Sequence, residues 1–147
     1  MIAIVDYGVG NLFSLKSSFA AIGAETVLTP DPEIIKKADK ILLPGVGAFG
    51  DAAEKLQKTG LGDLIIEEAN KGKPLLGICL GMQLLLEKSY EYGEHKGLGL
   101  IKGEIRANYF KPKAELKPGE ENYLKGVNKD NFRYLIRRLA MKKGSCK

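Results

Sequence analysis

Cys79 is the side chain best placed for covalent chemistry. It sits in Gly77-Ile78-Cys79-Leu80-Gly81-Met82-Gln83, directly after the apolar run Pro74-Leu75-Leu76. Glycines lie two positions before and two positions after the thiol, and an apolar, helix-like run follows. This spacing fits a nucleophile elbow, a sharp strand-to-helix turn at which neighbouring Cβ atoms would clash. A cysteine attacks as thiolate, and a helix starting beside Cys79 would favour that charge through its free N–H groups. The N–H of Leu80 could point at an oxyanion on an attacked carbonyl. A second donor could come from the backbone of Gly45-Val46-Gly47, since glycine-rich chain approaches a substrate closely. Removing one such donor typically costs about 3–4 kcal/mol of barrier. Gln83 follows Cys79 by one helical turn, so its amide could bind the polar end of a substrate. Alone, Cys79 reads equally well as a buried structural thiol. The flanking glycines and the second glycine-rich loop favour the reactive reading.

The elements that must position these groups alternate. Ile2-Ala3-Ile4-Val5 is a β-branched run that reads as a buried strand ending at Asp6. Asn11 can cap a helix whose stripe is Leu12, Leu15, Phe19 and Ile22, stopped by Gly23. Thr26-Val27-Leu28 is a second strand. Asp31 and Pro32 open a short helix. Lys40 to Leu43 is a third strand, running into the loop Pro44 to Gly50. Helices follow at 51–58 and from Leu61 to Gly72. Pro74 to Ile78 is a fourth strand that ends in a buried turn at Cys79, with a helix from Leu80 to Glu87. Leu98 and Leu100-Ile101 begin another strand. Such alternation predicts βαβ units and a parallel sheet covered on both faces, with ligands beyond the C-terminal strand ends. The loops at 7–11, 45–50 and Cys79 all fall there.

Composition narrows the function. The chain has 147 residues, 44% of them hydrophobic, which suits one domain with its own core. No apolar run approaches the ~20 residues of a membrane helix, and no signal segment is evident, so a cytoplasmic protein is expected. Two cysteines, Cys79 and Cys146, make no disulfide framework. A single histidine, His95, excludes a His-rich metal site, so no metal is expected. Gly8-Val9-Gly10 resembles a dinucleotide turn, but Phe13 stands where its third glycine belongs and no acid follows the second strand. Residues 1–101 carry 10 Lys+Arg and 13 Asp+Glu, whereas residues 102–147 carry 13 and 5. The division expected is therefore a domain at 1–108 and a divergent basic tail at 109–147. The tail reads as loop over 111–126, then a short helix on Phe132, Leu135, Ile136 and Leu139, capped by Asp130 or Asn131. Its charge is the only hint of nucleic-acid or membrane-surface binding, and a solvated basic helix explains it better, so neither partner is expected.

Three segments in order carry a family resemblance: Asp6-Tyr7-Gly8-Val9-Gly10-Asn11-Leu12, Pro44-Gly45-Val46-Gly47-Ala48-Phe49-Gly50 and the elbow around Cys79. Together they resemble the class I glutamine amidotransferases, and among these the glutaminase subunits of imidazole glycerol phosphate synthase. Gly97-Leu98-Gly99-Leu100-Ile101 is similar too. The resemblance covers roughly residues 1–108. It implies an α/β fold with a three-layer parallel sheet, flavodoxin- or Rossmann-like, incomplete in its C-terminal half. It implies that Cys79 attacks the side-chain amide of glutamine, giving a thioester and ammonia. Leu80, Gly45, Val46 and Gly47 would bind the oxyanion, and Gln83 would lie near the substrate. Ammonia would pass to a (β/α)8-barrel cyclase subunit in histidine biosynthesis, with Asn11 facing that partner and no cofactor needed.

The sequence departs from the family where a base is needed. The family completes its triad with a downstream His-Pro-Glu motif, which this sequence lacks. His95 lies in Glu91-Tyr92-Gly93-Glu94-His95-Lys96 and is expected in a solvated loop at the far end of the elbow helix. The chain is therefore expected to be impaired as a glutaminase. The alternatives are a non-catalytic partner-binding module of the same fold and a cysteine hydrolase of another class. Apolar sheet surface is expected to be exposed.

Overall fold

In the computed structural model the chain divides into two compact units, Met1–Ile105 and Arg106–Lys147. Residues 1–106 are described; the tail loop and the helix expected on Phe132 to Leu139 lie outside them. The first unit is an α/β structure around a four-stranded parallel sheet. Its strands are β1 (Ile2–Val5), β2 (Thr26–Thr29), β3 (Lys40–Leu43) and β4 (Leu75–Gly77), in the order β2-β1-β3-β4. The registers are parallel throughout, with Ile4 beside both Leu28 and Leu42, and Leu42 beside Leu76.

The helices are α1 (Leu12–Ala21), α2 (Pro32–Lys37), α3 (Phe49–Lys58), α4 (Leu61–Asn70) and α5 (Leu80–Leu84). Local chemistry starts the first two as expected. Asn11 Oδ1 accepts the Ser14 N–H at 3.3 Å, and Asp31 Oδ1 accepts the Glu33 N–H at 2.8 Å. Helix α3 has no capping side chain of its own at Ala48; the Glu91 carboxylate accepts the Phe49 N–H at 2.9 Å instead.

Right-handed crossovers put α1 on one face of the sheet and α2, α3 and α4 on the other. The main core lies on the second face. There Ala3, Val5, Ile41 and Leu43 pack with Ile35, Phe49, Ala52, Leu56, Leu61, Ile65, Leu80 and Leu84. Helix α1 buries no residue, and Phe13 and Ile22 are 82% and 76% exposed.

The region after the elbow differs from the expectation. The helix stops at Leu84 rather than running to Glu87, and a second sheet begins. Its strands are β5 (Leu86–Ser89), β6 (His95–Lys96) and β7 (Ile101–Ile105), in the order β6-β5-β7. A returning segment pairs with the chain that follows the helix. Leu98 N–H donates to Leu84 O, Ile101 to Leu85 O, Gly99 to Leu86 O and Gly97 to Glu87 O, at 2.8–3.0 Å. These bonds fold the chain back onto the end of α5, and the second sheet begins there. Gly97 permits the approach, because a Cβ there would lie 2.1 Å from Leu86 O.

Candidate active site at the Cys79 elbow

Cys79 joins β4 to α5 with φ 55° and ψ −120°, a left-handed-side conformation that an L-residue adopts at a cost of about 1–3 kcal/mol. Three backbone contacts hold the turn shut. A Cβ on Gly77 would lie 2.6 Å from Met82 Cα, and one on Gly81 would lie 2.0 Å from Leu43 O. The Ile78 N–H donates to Leu43 O at 3.0 Å, tying the elbow to the end of β3. The elbow is thus present, but the turn is not buried. Cys79 is an exposed free thiol, because the positive φ turns its side chain off the end of the sheet while Leu80 goes into the core.

The glycine-rich loop abuts this turn. A Cβ on Gly45 would lie 2.6 Å from Gly81 N and 2.9 Å from Leu80 Cβ, so the loop backbone rests on the Leu80–Gly81 peptide. Gly47 has φ 94°, and Val46 is exposed. The N–H groups of Leu80, Gly45, Val46 and Gly47 have no acceptor among the described residues. The unpaired donors of Gly45 and Leu80 thus lie at the turn that carries the exposed thiol, and such donors can receive negative charge on a carbonyl oxygen. Gln83 is half-buried one turn into α5 and its N–H donates to Cys79 O at 3.3 Å.

The structure places Leu80 and Gln83 on the helix that follows Cys79 and rests Gly45 on the Leu80–Gly81 peptide. It does not bring His95 into hydrogen-bond contact with the thiol. His95 is also not in a solvated loop. It is half-buried in β6, opposite Ser89, with its ring laid against Gly50, where a Cβ would meet the ring at 2.6 Å. The reversal of the chain at β5, unforeseen in the sequence, carries it there. With Glu54, Asp63, Leu84 and Leu98 it lines a cleft of about 390 Å³ between α3, α4 and the β6 hairpin. That cleft includes none of Cys79, Leu80, Gln83 or Gly45 to Gly47. Asn11 is exposed and engaged as the cap of α1.

One residue of the site escaped the sequence reading. Tyr7, 4% exposed, donates its hydroxyl to the Pro44 carbonyl at 2.7 Å. Burial pushes its phenol well above the usual tyrosine value, so it remains a donor. The available signal was a tyrosine at the end of a buried strand, whose hydroxyl must find a partner. Among the described residues no group of three or more His, Cys, Asp or Glu could hold a metal ion, and no helix is long and apolar enough to cross a membrane.

Known proteins resemble this chain in sequence and fold. The family model for glutamine amidotransferase class-I matches residues 3–132. The imidazole glycerol phosphate synthase subunit HisH of Sulfurimonas denitrificans is 60% identical over 107 residues, 73% of this chain and 52% of that protein. The same subunit of Wolinella succinogenes is 53% identical over 105 residues, and that of Aquifex aeolicus 52% over 103. The chain spans about half the length of these curated relatives. A solved glutamine amidotransferase superposes with a TM-score of 0.64 at 20% identity, over 78% of this chain and 60% of that one, which supports the fold. The family model matches residues 3–132, most of the chain, and the chain therefore belongs to the class I glutamine amidotransferases.

Proposed function

We propose that the chain carries the nucleophile and oxyanion side of a glutaminase, working as the amidotransferase subunit of imidazole glycerol phosphate synthase. The observation that supports it is the positive-φ Cys79 beside the unpaired N–H groups of Leu80 and Gly45 to Gly47. In this reading the Cys79 thiolate adds to the side-chain amide carbon of glutamine. Negative charge moves to the amide oxygen and is met by the Leu80 N–H and the loop donors. Collapse breaks the C–N bond, and ammonia leaves with the proton that the thiol gave up. Water then hydrolyses the thioester to glutamate and restores the thiol. Gln83 would hold the polar end of the substrate. Ammonia would pass to a (β/α)8-barrel cyclase in histidine biosynthesis, in the cytoplasm, with Asn11 toward that partner. The relatives named as subunits of the synthase support the partner class.

A specific observation favours a second reading for this chain alone, that of a partner-binding module with little turnover. Its single histidine is packed on Gly50 and has no bond to Cys79. Loss of a triad member typically costs several orders of magnitude in rate. The test measures glutamate and ammonia released by the purified chain, with and without the cyclase, beside peptide-resolved labelling of Cys79 by a glutamine-shaped chloroketone. Labelling with negligible turnover is expected. Robust ammonia release abolished in Cys79→Ala would overturn the second reading, and absence of analogue-specific labelling would overturn the first.

A further inference from the structure

The Pro44 carbonyl stands one residue past the end of β3. The carbonyl before it, on Leu43, is used by the Ile78 N–H, but no strand reaches Pro44. A backbone carbonyl at such a place needs a partner. It has one in Tyr7, whose hydroxyl comes from the end of β1 and donates to it at 2.7 Å in the core. The same β1–α1 loop presses on Pro44 from its backbone. Gly10, at φ 126°, lies so close that a Cβ would stand 3.1 Å from Pro44 Cβ. Lys55 Nζ, from α3, donates to Gly8 O at 3.2 Å and closes the loop from outside.

The Pro44 carbonyl shares its peptide plane with the Gly45 N–H. In a trans peptide these two groups point in opposite directions. Anchoring the carbonyl inward on Tyr7 therefore turns the Gly45 N–H away from Tyr7, and Gly45 is the residue that rests on the Leu80–Gly81 peptide. Beyond it the loop has little side-chain anchoring: Val46 is 52% exposed, and the glycines have no side chains.

We propose that Tyr7 is a positioning residue for the oxyanion donors: by holding the Pro44 carbonyl it sets the peptide plane of Gly45 and the path of Gly45 to Gly47 beside Cys79. The inference rests on the glutaminase reading. Tyr7 touches neither thiol nor substrate and acts through Pro44. Its removal should therefore affect reactions that build charge on a carbonyl oxygen and leave simple alkylation of the thiol alone.

The test compares two reagents on the full chain, each read at the Cys79 peptide by mass spectrometry. Iodoacetamide alkylates by direct displacement and needs no oxyanion donor. The glutamine-shaped chloroketone places a ketone oxygen where the amide oxygen of glutamine would sit. In Tyr7→Phe the chloroketone rate is expected to fall about tenfold or more, with the iodoacetamide rate unchanged. A purely structural defect would move both rates together, and that outcome, or no change in either, overturns the inference. Thermal unfolding checks that the variant folds. If it does not, Gly10→Ala displaces Pro44 from the other side and should give the same selective loss. If the parent chain shows no chloroketone selectivity, the glutaminase reading fails while the Tyr7 inference is still decided by backbone NMR. Lower order parameters at Gly45, Val46 and Gly47 in Tyr7→Phe support it, and unchanged values overturn it.

Discussion

The two faces of the parallel sheet are built from alternate residues of the same strands, yet they differ in kind. On one face Ala3, Val5, Ile41, Leu43 and Leu75 meet the helices α2, α3, α4 and α5 in a single core. On the other, Leu28, Ile4, Leu42 and Leu76 form a row across the sheet that ends in a side chain 52% exposed, and α1 adds no buried residue. The elements that shape the thiol and its neighbouring donors belong to the packed face. Leu80 and Leu84 of the elbow helix, Phe49 after the glycine loop and Tyr7 behind it are all in that core. The backbone half of the site is thus held by the better-packed half of the molecule, while His95, among the described residues, packs on Gly50 rather than on the thiol.

The largest effect should come from the packed face itself. Phe49 is fully buried at the start of α3, directly after the glycine loop. Phe49→Ala is expected to cost about 3–5 kcal/mol, a large fraction of the total stability of a small domain. Phe13→Ala, on the helix of the opposite face, is expected to stay within about 0.5 kcal/mol. Urea unfolding of both variants reads the difference. Equal costs would mean that the faces are energetically alike.

Next in size is Gly81→Ala, which tests the backbone contact of elbow and sheet. The added methyl would meet Leu43 O at 2.0 Å, so the end of β3 and the turn must separate. A loss of about 1–3 kcal/mol is expected, with a change in the iodoacetamide reactivity of Cys79. A neutral substitution would show that the elbow is looser than its packing implies.

Much of this organisation was legible in the sequence, and the boundary of legibility is physical. Strands β1 to β4 announce themselves as short apolar runs, and the Asn11 and Asp31 caps are local chemistry. The elbow was legible because its glycines answer a local steric demand. What could not be read is non-local. Helix α5 gives way to a second sheet after Leu84, where residues 97–101 return to bond the carbonyls of Leu84 to Glu87. His95 left its expected loop for the same reason. The exposure of Cys79 follows from a backbone angle that no residue type encodes alone. Tyr7 reaches Pro44 only once β1 and β3 lie side by side.

A pH effect tests how the packed face is tied together. Glu68 of α4, 6% exposed at its side chain, sits 2.6 Å from Lys73 and 2.9 Å from Lys71. Hydrogen bonds from these two ammonium groups, Lys73 first, hold its carboxyl below the usual carboxylate value. Lys73 in turn donates to the carbonyls of Ile35 and Lys36, linking α4 to α2. A carboxyl depressed in the folded state adds stability above its unfolded value of about 4.3. That contribution is lost as pH falls through this value and on through the folded one. The melting temperature of Glu68→Gln should accordingly fall less steeply than the parent's below about pH 5. Identical slopes would remove this ion pair from the account.

The smallest stability effect is expected at Leu76, and it bears most directly on the face away from the main core, where Ile4 and Leu42 are buried but Leu76 is 52% exposed. Leu75 and Leu76 are adjacent, so their side chains point to opposite faces of β4. Leu75 packs on the core and Leu76 stands half in solvent. Among the described residues β4 pairs only with β3, so an exposed leucine sits beside a strand with one partner. An apolar side chain at such a place favours association of copies. Leu76→Lys should change unfolding free energy by no more than about 0.5 kcal/mol while lowering self-association in sedimentation at high protein concentration. Should Leu76→Lys instead unfold the domain as deeply as Phe49→Ala, the row of Leu28, Ile4, Leu42 and Leu76 would be a second core. The asymmetry between the faces would then reflect which side chains are exposed, and not which ones carry the fold.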